Sequence, residues 1–149
     1  ITNSFALSYY KELGLADATL SFELTQKAMS GINARLPVGA YIYGYLPLML
    51  MRVCPQKDAN GCGVCNGLTQ FTDRKGVTFS AICHQKKYTT LYNSVPLYIG
   101  DKALNMLDFG VLYFTTEDKE ACAYIYKQAL KGKTLNGPKT NGLFNRELL

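Results

Sequence analysis

Four cysteines fall between residues 54 and 83 in the spacing C-x7-C-x2-C-x17-C: Cys54, Cys62, Cys65 and Cys83. No other feature narrows the fold as much. Cys62 and Cys65 flank Gly63 and Val64, so both sulfurs can face one point from a tight turn. Gly61, Gly63 and Gly67 supply the positive φ angles that such a turn often needs. Asp73, Arg74, Lys75 and Gly76 make a polar turn, and the strand-like run from Val77 to Ile82 returns the chain to Cys83. The pattern predicts a metal knuckle whose fourth ligand arrives on a hairpin. Four thiolates suit tetrahedral zinc or an iron–sulfur cluster, and spacing does not separate the two.

Two plainer readings compete. Paired disulfides would suit an even cysteine count in a secreted domain, but Cys122 makes the total five. Four unrelated reduced thiols are the other, since cysteine is often a small buried hydrophobe. A loop so rich in Gly, Asn, Asp and Lys offers little core to bury them.

Around this segment the texture is α/β. Ser4–Leu13 has helical spacing with Gly14 as its stop. Ala18–Leu24 reads as a strand and Glu23–Ala34 as a weaker helix broken by Gly31. The nearly continuous apolar run Val38–Tyr45 suits a strand buried on both faces. The longer stretch Ala40–Met51 is broken by Gly44 and Pro47 and also reads as buried strand. After the cysteines, a short helix is expected over 102–107, a strand over 111–115, and a helix over 117–130 capped by Thr115 or Thr116 and stopped by Gly132. The Gly-, Asn- and Lys-rich residues 133–149 read as a flexible tail.

Strands joined by helices imply parallel pairing. The expected fold class is α/β: a partial (β/α) TIM-like barrel with a cysteine-bearing β-hairpin insertion. Its segments would be 1–53, 54–100, 101–132 and 133–149. The insertion follows the carboxyl end of a strand, where such barrels place ligand sites. The chain opens on Ile1, with Thr2, Asn3 and Ser4 reading as a strand end followed by a helix cap, so a piece of a longer protein is expected.

With 149 residues there is enough chain for one core. No segment approaches the ~20 apolar residues that span a bilayer. The lack of an apolar leader and the helix–strand alternation point to the cytoplasm. The net charge of +5 allows an anionic partner, such as RNA or a small anionic substrate, without requiring one.

Several segments resemble the collagenase-like peptidase family. Tyr43-Gly44-Tyr45-Leu46-Pro47-Leu48-Met49, followed by Cys54-Pro55, is similar to its YG-x-x-P-L-M strand and C-P. Thr72–Phe79 is similar to its D-R-x-G-x-x-F hairpin, although Ser80 stands where the family often has proline. Leu20–Leu24, Tyr92–Leu97 and Thr140–Glu147 resemble its LS-x-EL, Y-N-S-x-P-L and T-x-G-L-F-x-R-E segments. The resemblance runs in family order over most of the chain and implies the C-terminal part of the peptidase domain. It implies a truncated TIM-like barrel with Cys54, Cys62, Cys65 and Cys83 as cluster ligands. It also implies either a peptidase, the older label, or a hydroxylation factor acting on RNA or a quinone. A zinc-stabilised module that binds RNA or protein without catalysis is the alternative.

The remaining residues give no peptidase mechanism. His84, the single histidine, could be a further ligand or a base but has no evident orienting partner. Four thiolates fill zinc's coordination and leave no open position. Catalytic residues therefore stay unassigned. Arg52, Arg74 and Asn93 are the candidates for binding substrate, and Lys75, Lys86 and Lys87 share their neighbourhood, either on an anion or as a solvated face. Phe71, Phe79, Tyr88 and Tyr92 could stack bases, but their spacing suits a hairpin core. Asn3 and Glu23 are weaker site candidates that caps would equally explain. Cys122 reads as packing within its helix. Barrel strands cut from their neighbours leave an open edge, so self-association is expected.

Overall fold

The computed structural model describes residues 1–33, 36–57, 61–62 and 66–146. Cys65, with Gly63 and Val64, lies outside the described residues, as do Ala34 and Glu147. The chain divides into two units, each with its own four-stranded sheet: Ile1–Gly44 with Leu97–Leu149, and Tyr45–Pro96.

The first unit holds β1 (Ala18–Leu20), β2 (Val38–Gly44), β7 (Leu97–Tyr98) and β8 (Phe109–Tyr113), numbered along the whole chain. β2 is central: β1 and β8 pair with it in parallel, and β7 pairs antiparallel through Tyr43↔Tyr98 and Gly44↔Leu97. β2 is buried at six of its seven positions, as a continuous apolar run requires. Asp108 pins its start: Val38 N–H donates to Asp108 Oδ2 at 2.8 Å, and Asp108 N–H donates to the Val38 carbonyl at 2.9 Å. Its end is fixed by Gly44 at φ +153°, where a Cβ would lie 2.7 Å from the Tyr113 carbonyl oxygen. The sheet is open, and no closed barrel forms among the described residues. What stands is a mixed α/β fold with three parallel strands.

The helices are shorter than the sequence spacing suggests. α1 (Ser4–Glu12) starts at Asn3, whose Oδ1 accepts from Ala6 N–H. α2 (Gln26–Ser30) is a short helix capped by Thr25. Residues 102–107 give only a 3-10 turn, Leu104–Met106. α3 (Lys119–Leu130) begins later than expected, with Asp118 as its cap instead of Thr115 or Thr116. The cause is Glu117, whose Oε2 accepts from both Thr115 and Thr116 N–H and holds them in a turn. Its Oε1 accepts from Tyr43 OH at 2.6 Å. Ile125 of α3, Tyr43, Tyr98 and Leu135 form the buried cluster of this unit.

Residues 133–146 lie along this unit instead of trailing from it. Tyr98 OH donates to the Lys133 carbonyl at 2.5 Å, Tyr98 N–H to that of Thr140 at 2.9 Å, and Gln26 N–H to that of Phe144 at 2.8 Å. Leu135 and Phe144 are buried. Apolar side chains spaced through a polar stretch anchor it, against the tail-like composition.

The second unit is an antiparallel sheet in the order β3-β6-β5-β4. Its strands are β3 (Pro47–Met51), β4 (Leu68–Thr72), β5 (Thr78–His84) and β6 (Tyr88–Tyr92). Asp73 builds the β4–β5 turn, with Oδ1 accepting from Lys75 and Val77 N–H. β3 departs from the expected buried strand. The apolar run is split between the two sheets, and β3 leaves Leu48, Met49 and Leu50 53%, 55% and 67% exposed.

Candidate functional site

The register of the second sheet places three of the cysteines at one end. Met51 pairs with Thr89, and Thr89 pairs with Cys83. Cys54 follows the end of β3, Cys83 lies one residue from the end of β5, and Cys62 precedes β4, whose Leu68 pairs with Ile82. All three cysteines therefore fall at one end of the sheet. They line a single cavity of about 400 Å³. Gly67 closes the strand beside it: Cys83 N–H donates to the Gly67 carbonyl at 2.7 Å, with Gly67 at φ +91°. Cys65, the remaining predicted ligand, lies outside the described residues.

Cys54 and Cys83 are free thiols, so the four cysteines are not joined as two disulfides. Among the described residues, no three or more His, Cys, Asp or Glu side chains converge tightly enough to hold a metal ion.

The cavity wall is cationic. Arg52, Lys57 and Lys86 line it, and no described carboxylate does. Lys86 reaches it from a strained turn. Lys87 N–H donates to the His84 carbonyl at 3.0 Å, and the two central residues, Gln85 and Lys86, sit at φ 53° and 62°. Such a turn favours Asn-Gly or Gly-Gly, and non-glycine residues there cost about 1–2 kcal/mol each. Thr89 also lines the cavity; it is 1% exposed, and its Oγ1 has no hydrogen-bond partner among the described residues.

The other candidates disperse. Arg74 and Lys75 occupy the β4–β5 turn, at the far end of β5 from Cys83. Asn93 follows β6 at the end away from Tyr88; its N–H donates to the Leu46 carbonyl and its Oδ1 accepts from Ser94 N–H. His84 is occupied, with Nε2 3.1 Å from Thr90 Oγ1 and its ring stacked on Tyr88 at 4.5 Å. Phe71 and Phe79 line a separate apolar groove with Met49 and Leu91, while Tyr92 is buried. Tyr88 alone of the four aromatics lines the cysteine cavity. Asn3 is a helix cap, and Glu23 is exposed.

Cys122 belongs to the other unit. Its Sγ lies 3.9 Å from the Glu117 carbonyl, and burial, then Glu117 and Asp118, push its thiol pKa up. Lys57 and Thr89 are the contributors that sequence reasoning missed. Lys57 sits within the cysteine loop and was within reach of a charge argument. Thr89 carries no signal outside the register of β5 and β6.

No family model, no curated protein and no solved structure matches the chain. Among the described residues no helix is long and apolar enough to cross a membrane.

Proposed function

We propose that residues 45–96 form a cysteine-ligated metal unit, with Cys54, Cys62, Cys65 and Cys83 holding a 4Fe–4S cluster. One observation carries this reading: Cys54, Cys62 and Cys83, from three separate segments, line the same cavity. Four thiolates suit either a 4Fe–4S cluster or zinc, and the motif resemblance favours the cluster. A tetrathiolate centre carries net negative charge, and the cations of Arg52, Lys57 and Lys86 oppose it. Such a cluster supplies one-electron chemistry when bound. The protein's own part is to fix the thiolates on a sheet end and to offset their charge.

From the motif resemblance we further propose that the chain is the C-terminal part of a collagenase-like peptidase-family domain serving as a hydroxylation factor for RNA or a quinone. The reducing cytoplasm suits exposed metal thiolates. The chain by itself is proposed to lack peptidase activity, since His84 is engaged by Thr90 and Tyr88. A zinc-stabilised binding module is the second reading, because zinc also takes four thiolates.

Iron, sulfide and zinc analysis of anaerobically purified protein tests the assignment. About four irons per chain, with visible sulfur-to-iron absorption lost in air, is expected. A colourless protein with one zinc per chain would replace the cluster with the module.

A further inference from the structure

The cysteine cavity has polar features besides its thiols. Arg52, Lys57 and Lys86 converge on it from the end of β3, the cysteine loop and the β5–β6 turn. Thr89 stands among them, buried, with its hydroxyl unpartnered among the described residues. A buried hydroxyl without a partner is uncommon and unfavourable. Rotation about χ1 exchanges the hydroxyl and methyl of a threonine, which can turn the donor toward the cavity. Lys86 is brought there at the expense of two left-handed non-glycine residues, and such strain tends to persist at functional sites.

We propose that this cavity binds a small oxyanion, a carboxylate or phosphate group, beside the thiols. Arg52 supplies a planar guanidinium suited to two oxygens of one group, and Lys57 and Lys86 supply point charges. Thr89 supplies a neutral donor once its hydroxyl turns toward the cavity. The inference rests on reading this cavity as the unit's working site, and not on which metal the thiols take.

The test is calorimetric titration of the anaerobically prepared full chain with inorganic phosphate and with malonate, metal content being measured on each sample. Arg52→Met and Thr89→Val should each weaken binding about ten-fold, the effect of losing one charge-assisted or buried hydrogen bond. Thr89→Val keeps the shape and β preference of the side chain, so its fold and metal content should match the parent's. Lys75→Met, at the far end of β5, should bind as the parent does. No binding of either anion, no loss in Arg52→Met and Thr89→Val, or an equal loss in Lys75→Met overturns the proposal. Displacement of phosphate by an equal concentration of a mixed-sequence oligoribonucleotide also overturns it, assigning the cations to a nucleic-acid backbone. Anion binding in protein that takes up no metal sinks the metal reading alone. Metal uptake without anion binding sinks this one alone.

Discussion

Cys83 and Thr89 are register partners across β5 and β6, and Thr89 pairs on its other side with Met51. Directly opposed residues in an antiparallel pair project to the same face, with Cβ atoms about 4.5–5.5 Å apart. A thiol, a hydroxyl and the strand that leads to Arg52 and Cys54 are thereby aligned across three strands. The β3 end and the β5–β6 hairpin that meet here lie about thirty residues apart in sequence.

Cys83→Ala is expected to abolish stable metal uptake, because it removes a cysteine that a regular strand, β5, holds in place. Cys122→Ala should leave metal content unchanged, since that thiol lies on α3 of the other unit. Metal analysis of both variants, with circular dichroism to verify folding, checks the pair. Loss of metal in Cys122→Ala would reassign the ligands.

Glu117→Ala is expected to destabilise the first unit by about 2–3 kcal/mol, since one carboxylate accepts from Tyr43 OH and from Thr115 and Thr116 N–H. Glu117→Gln should cost less, because the amide keeps one acceptor. Urea unfolding of the three proteins gives the comparison; equal stability throughout would show the network to be dispensable.

Tyr98 should govern an alkaline transition. Its phenol is pushed up to about 12 from the ordinary value of 10.0, first by burial, then by Asp101 and Tyr124. A folded-state pKa above the unfolded one means that the contribution is complete below pH 10 and is lost as pH rises through 12. Tyr98→Phe should be about 1 kcal/mol less stable at neutral pH, having lost the bond to the Lys133 carbonyl. Between pH 10 and 12 its stability should fall less steeply than the parent's. Parallel slopes in denaturant titrations across that window would remove Tyr98 from the account.

β3 should mediate contact with a second copy of the chain. It is an edge strand, and it exposes three consecutive large apolar residues, Leu48, Met49 and Leu50. Leu50→Lys is expected to lower the sedimentation coefficient at high concentration toward the monomer value. A parent that stays monomeric at every concentration would leave this surface unassigned.

Local chemistry was the legible part of the fold. The Asp73–Gly76 turn, the Asn3 cap and the buried β2 run could be read from neighbouring residues, because each is settled within a few positions. β3 could not, since hydrophobicity marks a strand without saying which sheet takes it; Gly44 and Pro47 signalled only the break. The α3 cap was misplaced because a side chain, that of Glu117, captured the amides of both expected cap residues. The cysteine motif was visible as spacing. Arg52 and Lys86 were legible as neighbours of the cysteine segment, while Thr89 depends on the pairing of β6 with β5 and β3, which no local pattern encodes.

The antiparallel pair Gly44↔Leu97 has a consequence for how such a chain is assembled. It brings together the two points at which the chain leaves and re-enters the first unit, so residues 45–96 form a closed detour. The entropy of closing that detour is set by its ends and grows only slowly with its length. The detour can therefore be shortened to a hairpin turn, or exchanged for another cassette, with little demand on β2 or β8. The cysteine unit is in this sense portable, able to be gained, lost or transplanted as a block while the parallel sheet keeps its order.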